Sequence, residues 1–149
     1  MDELDRSDRT IITALSRDGR LSMADLAEKV GLSKTPVQAR VRRLERDGYI
    51  KGYQAIIDRA KMGEGHIAFV QVKLSDTTSK ALDAFNKAVL EVREIEQCHM
   101  MAASFDYLLK VRTTDIAAYR RALGEKIAAL PYVAQTSTFV VMESVKDRP

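Results

Sequence analysis

Between Ser22 and Ile50 the chain reads SMADLAEKVGLSKTPVQARVRRLERDGYI: two short amphipathic stretches with only Gly31, Leu32 and Ser33 between them. So short a joint forces two helices to meet at a sharp angle, and few folds accept that arrangement. Ser22 is a good N-cap, with Asp25 three residues on as a partner resembling a capping box. Leu26, Ala27 and Val30 form the inner face of this helix. Gly31 closes it, because glycine enters the left-handed conformation at little steric cost. Ser33 is expected to cap the next helix. Pro36 falls in its first turn, where a missing N–H loses no helical acceptor. Val37, Val41 and Leu44 make the buried stripe, and Gly48 stops the helix. Upstream, Leu4, Asp8, Ile11, Ile12 and Leu15 keep helical spacing and predict a helix over 4–17, ended by Asp18-Gly19. Tyr49 and Ile50 are expected to open a strand-like wing near residues 50–58. Three helices and a wing form a winged helix-turn-helix, whose third helix can enter the major groove of duplex DNA.

Charge is distributed to suit. Residues 1–33 carry a net charge of −2, whereas residues 34–51 carry Lys34, Arg40, Arg42, Arg43, Arg46 and Lys51 against Glu45 and Asp47, a net +4. Counterion release rewards local density of positive charge, not the whole-chain value of +3. With Val37, Val41 and Leu44 turned inward, Lys34, Thr35 and Gln38 face out at the N-terminal end of the helix. Gln38 suits paired bonds to adenine and Lys34 suits guanine; Thr35 suits a thymine methyl or a phosphate. Arg42, Arg43 and Arg46 are assigned to phosphates. Arg40 serves either a phosphate or an internal ion pair. Ser33, besides capping, is placed for a phosphate at the helix N-terminus.

Beyond Arg59–His66, loosened by Gly63 and Gly65, the pattern changes. Residues 66–74 alternate as a strand does. Leu82, Phe85, Val89 and Leu90 mark a helix within 77–91. Residues 95–101 and 107–112 read as strands. Ile116, Tyr119, Leu123 and Ile127 mark a helix over 114–128 that Pro131 ends, and residues 132–142 are rich in β-formers. The order matches a ferredoxin-like βαββαβ unit, a four-stranded antiparallel sheet with helices on one face. The other face needs a partner, and a two-fold homodimer through this domain supplies one. The expected α+β chain therefore has a winged helix-turn-helix at 1–58, a hinge at 59–65, and a ferredoxin-like domain at 66–149 that dimerises.

Other classes fit less well. The acidic start MDELDRSD lacks the form of a secretion signal, and no apolar run approaches the roughly 18 residues of a membrane span. Together with a single cysteine, Cys98, this predicts a cytoplasmic protein with no disulfide and no membrane partner. Cys98 and His99 fall short of a zinc set and read as strand residues. Met100 and Met101 read as interface or core filler. There is no GxSxG, HExxH, CxxC or phosphate-loop pattern, so no enzyme and no cofactor are expected.

Two stretches carry a resemblance: LSMADLAEKVGLSKTPVQARVRRLERDGYIKGYQAIID at 21–58 and AASFDYLLKVRT at 102–113. With them the chain resembles the Lrp/AsnC, or feast/famine, family of prokaryotic transcription regulators over nearly its whole length. The resemblance implies amino-acid-responsive gene control, dimers pairing through the C-terminal domain and often assembling into octamers, and effectors bound between dimers. QCHMMAASFDYLLKV at 97–111 and VAQTSTFVVMESVKD at 133–147 are similar to members that activate proline-degradation genes. An amino-acid effector needs an acceptor for its ammonium, which Asp106 supplies. Its carboxylate needs donors, which the backbone amides of Ala102, Ala103, Ser104 and Phe105 supply as an anion nest. Thr136 and Thr138, two apart on the last strand, add hydroxyls on one face. The resemblance places the family's pocket at these same positions. The plainer roles are a turn cap for Asp106 and ordinary strand positions for the threonines. The family usually has glycine where this chain has Ala103, which narrows the backbone geometry there. Two other readings are an architectural, DNA-compacting protein with little effector response and, on the same architecture, an enzyme similar to haem-pathway decarboxylases.

Overall fold

A computed structural model describes residues 4–147; the ends of the expected domains, 1–3 and 148–149, lie outside the described residues. The chain divides into two compact units between Ile56 and Ile57. In the first, α1 spans Arg6–Arg17, α2 Met23–Val30 and α3 Lys34–Arg46. A capping box opens α1: the Asp8 amide donates to Asp5 at 2.8 Å and the Asp5 amide to Asp8 at 3.2 Å. Ser22 caps α2 by accepting from the Asp25 amide at 3.0 Å, and Gly31 ends it in the left-handed region at φ 72°. Ile11, Leu15, Leu26, Val37, Val41 and Leu44 pack as one core, as the stripes predict.

Two local expectations change. Ser33 holds the N-cap position of α3, but its hydroxyl makes no capping bond. The wing does not form a strand: residues 51–58 carry no regular secondary structure. Tyr53 ties this segment back instead. Its hydroxyl donates to Glu45 Oε1 at 2.8 Å, and its ring lies where a Cβ on Gly19 would be only 3.3 Å away.

The second unit holds β1 (His66–Leu74), α4 (Ser79–Val89), β2 (Ile95–Met100), β3 (Tyr107–Thr113), α5 (Ile116–Ala122) and β4 (Val133–Val140). The sheet runs β2-β3-β1-β4, with every neighbouring pair antiparallel. This is the ferredoxin-like order that the alternation of strands and helices predicts. One face of β1 (Ala68, Val70, Val72, Leu74) and of β3 (Tyr107, Leu109, Val111) packs on Phe85, Val89 and Tyr119 of the helices. Phe85 and Tyr107 meet with ring centroids 4.3 Å apart. The predicted helix over 114–128 is split: α5 ends at Ala122 and continues as a π-helical turn, Leu123–Ile127. Leu90 and Ile116, placed in buried stripes by spacing, are exposed. Leu90 follows the last turn of α4 and Ile116 opens α5, where neighbours cover only one side.

The opposite face of the sheet carries Phe69 beside Phe139, with Ile67 and Leu108 nearby in the register. Phe139 is 53 % exposed. Among the described residues no helix is long and apolar enough to cross a membrane.

Candidate nucleic-acid interface and effector turn

Helix α3 sorts its arginines. Arg40 donates from one nitrogen to Asp5 Oδ2 at 2.6 Å and Asp8 Oδ1 at 2.9 Å, and Arg43 donates to Asp8 Oδ2 at 2.5 Å. Asp8 is only 1 % exposed. A buried carboxylate is tolerable only when paired and hydrogen-bonded, and here two guanidinium groups and a backbone amide do both. Burial pushes the Asp8 carboxyl up. The bonds from Arg40, Arg43 and the Asp5 amide outweigh that and hold it below its ordinary value. The same pairing raises Arg40.

Of the two roles left open for Arg40, the structure therefore gives it the internal ion pair. Arg43, assigned to a phosphate from the sequence, turns one guanidinium nitrogen onto Asp8 and fastens α3 to α1. Spacing along α3 could not reveal this, because the partner lies 35 residues upstream. The signal available was Asp8 itself, a carboxylate inside an apolar stripe.

What remains outward is Lys34, Thr35, Arg42 and Arg46, all exposed, with Gln38 half-buried among them. Arg46 bonds its neighbour Asp47 at 3.0 Å, an open pair that a phosphate can replace. Ser33, at the helix entrance, is also exposed. Lys34, Gln38, Arg42 and Arg46 lie along one edge of α3 at spacings of four, so they can follow a groove wall together.

In the second unit, the turn Ala102–Phe105 leads into β3. Its four amides donate to no protein acceptor among the described residues. The turn is bracketed by bonds from the Met101 amide to the Asp106 carbonyl at 2.8 Å and from the Asp106 amide to the Val72 carbonyl at 2.9 Å. Asp106 Oδ2 accepts from the Leu74 amide at 2.7 Å. The carboxylate thus fastens the turn to β1, and its other oxygen remains available to a cation. Tyr132 (φ 63°) is the only non-glycine residue with positive φ among the described residues, so Ala103 fits this turn without left-handed backbone.

Thr136 pairs with Val72, the residue that holds the Asp106 amide, and Thr138 pairs with Val70. The two threonines share the helix-covered face with those valines. Asp106 and Thr136 therefore flank β1 on opposite sides, about 10 Å apart by strand spacing. Sequence spacing did not foresee that Thr138 Oγ1 is already in a short contact with the Tyr119 hydroxyl. Tyr119 also stacks on His66, at 5.7 Å between centroids, and the His66 ring bonds Thr113. Cys98 lies in β2 against the core, where burial pushes its thiol up.

A helix-turn-helix with a free cationic edge, in a chain whose other unit presents unpaired turn amides beside a carboxylate, defines a ligand-responsive DNA-binding regulator. Comparison with known proteins agrees. Residues 4–51 match the winged helix-turn-helix DNA-binding family and residues 67–149 the Lrp/AsnC ligand binding domain. A proline dehydrogenase transcriptional activator from Rhizobium radiobacter is 59% identical over 146 residues, 98% of this chain and 94% of the relative. The protein of the same name from Rhodobacter capsulatus is 50% identical over 147 residues, 99% and 96% of the two chains. The leucine-responsive regulatory protein of Escherichia coli K12 is 46% identical over 144 residues, 97% and 88%. An AsnC family transcriptional regulator from Agrobacterium tumefaciens superposes with TM-score 0.91 at 35% identity, over 97% of this chain and 94% of that one. A Neisseria meningitidis regulator in complex with L-Met gives 0.91 at 27%, over the same shares.

The chain belongs to the Lrp/AsnC family of transcriptional regulators. It is a DNA-binding, amino-acid-responsive regulator and not an enzyme.

Proposed function

We propose that this chain controls genes of amino-acid metabolism, proline catabolism first among them, by binding an operator through α3 and sensing an amino acid at the 102–106 turn. The observation that carries the sensing role is the row of four undonated amides, 102–105, beside the half-free carboxylate of Asp106. A zwitterion brings the opposite charges to both. Lys34, Thr35 and Gln38 read base edges, and Ser33, Arg42 and Arg46 hold phosphates. The names of the two Rhizobium and Rhodobacter relatives support proline catabolism as the target.

Residues 1–58 act as the DNA-binding part, 59–65 as a hinge, and 66–149 as the effector and dimerisation part. The sheet face opposite the helices, with Phe69 beside the exposed Phe139, pairs with a second copy, which covers both rings. Dimers assemble further, to octamers, which brings Thr136 and Thr138 toward the effector of a neighbouring dimer. The protein acts in the cytoplasm, where its DNA is.

A thermal-shift screen of the full chain against the twenty amino acids tests the reading. Binding to the native state at a hundred times Kd adds about 2.7 kcal/mol of stability. Proline should raise Tm, and Asp106→Ala should abolish the rise. A full response in that variant would place the pocket elsewhere, and a response only to unrelated amino acids would remove the proline assignment.

A further inference from the structure

The first unit has a second basic surface, on helices that the DNA reading leaves unused. Arg6, Arg9, Thr10, Thr13 and Arg17 form one stripe along α1, and Lys29 faces it from α2 across a groove of about 670 Å³. Ala14 and Leu21 complete the floor. Four cations stand on the rim against the single carboxylate of Asp18, whose Oδ1 accepts from the Arg20 amide. None of the four forms an ion pair among the described residues. No residue of α3 lines the groove.

Arg17 and Lys29 stand in the last turns of their helices, where the dipole favours a cation, but two of the four do not serve the free helix. Arg6 and Arg9 sit at its N-terminal end, where the helix dipole disfavours positive charge. Their spacing of three also sets like charges side by side. An anionic partner seated there would relieve both terms.

The floor says which kind. The Thr10 and Thr13 hydroxyls donate back to the carbonyls of Arg6 at 2.9 Å and Arg9 at 2.8 Å. With both hydroxyl protons engaged, the threonines have no free donor for the groove, and half-buried Ala14 and Leu21 line it beside them. A phosphodiester backbone has no apolar face to set against such a floor. An acidic amphipathic helix has both parts, a stripe of apolar side chains and flanking carboxylates, and it fits a groove between two helices.

We propose that the α1–α2 groove docks an acidic amphipathic helix of a partner protein while α3 is on DNA. This inference is independent of the effector assignment. The test uses the full chain and a fluorescent synthetic peptide in which an apolar stripe of leucines is flanked by glutamates. A scrambled peptide of the same composition and a duplex of arbitrary sequence are the controls. Anisotropy should show binding of the amphipathic peptide, weakened roughly tenfold by Arg6→Gln, Arg9→Gln and Arg17→Gln combined, and weakened also by Thr13→Asp.

The duplex should not displace the peptide, and its own affinity at about 0.15 M salt, where charges away from the contact are largely screened, should be the same for parent and triple variant. The triple variant should melt close to the parent, since it loses the Arg6–Arg9 repulsion together with the favourable last-turn charge of Arg17; Thr13→Asp keeps the test standing if it melts lower. Equal binding of the scrambled peptide, displacement by the duplex, unchanged affinity in the variants, or no peptide binding at millimolar concentration would each overturn the proposal.

Discussion

Helix α3 and the turn proposed to bind the effector are built on different plans. On α3 every outward group comes from thirteen consecutive residues, and its inward arginines are spent on Asp8, in the same unit. The helix therefore needs nothing further to present Lys34, Gln38, Arg42 and Arg46. The turn draws on three strands. Asp106 precedes β3, its carboxylate is held by β1, and Thr136 and Thr138 stand across β1 on β4. One copy does not bring these groups onto a single small molecule. The first plan makes a finished surface, and the second leaves room for a ligand, or a neighbouring dimer, to complete it.

Breaking the first plan should cost stability, whereas breaking the second should cost response. Asp8→Ala leaves Arg43 with no internal partner and Arg40 with Asp5 alone, and it opens the α1–α3 contact. It should lower stability by about 3 kcal/mol, read by urea unfolding. The same pairing sets a pH dependence. Because the native carboxyl is held below its ordinary value, its contribution is complete above that ordinary value of 3.8 and is lost as pH falls further, through the lowered native one. Asp8→Asn should flatten that acid limb. If it does not, the ion pairs do not set the stability of the first unit. Asp106→Ala removes one acceptor from the Leu74 amide and should cost only about 1 kcal/mol, while erasing the Tm response to the effector.

These two carboxylates also mark how far the sequence could be read. The stripe of Val37, Val41 and Leu44 and the left-handed Gly31 were legible because a helix writes its buried face every three or four residues. Strand order followed from alternation and the spacing of two helices. Asp8 could be seen only as an oddity, since its partner Arg40 is 32 residues away. The net charge of residues 1–33 hid the basic stripe of α1, because a sum cannot show that Asp5 and Asp8 turn to α3 while Arg6, Arg9 and Arg17 turn away. The irregular course of 51–58 was not legible, because Tyr53 fastens through a hydroxyl and a glycine, neither of which has a period. Asp106 was legible as a turn residue, but its hold on Leu74 depends on the register of β1 against β3.

Smaller effects sharpen the division within α3. Arg42→Ala should lower the slope of log affinity against log salt by about 0.9, one phosphate's worth, with no change in melting. Arg40→Ala should do the reverse, lowering the melting temperature and leaving the slope alone in protein that remains folded. Equal slopes for both variants and the parent would remove Arg42 from the interface.

The smallest change bears on the second plan. The Thr138 hydroxyl meets the Tyr119 hydroxyl, and the proposed function gives it an effector as a second partner. Tyr119 is buried, which pushes its phenol up, so it stays neutral and can keep donating across the ordinary range. If Tyr119 is the main partner, Thr138→Val and Tyr119→Phe should each cost under about 1 kcal/mol, and the double variant should cost less than their sum, because both remove one bond. Effector affinity would then be unchanged in Thr138→Val. If affinity falls in Thr138→Val but holds in Tyr119→Phe, the threonine hydroxyl belongs to the ligand. β4 would then be part of the sensing surface and not only the edge of the sheet.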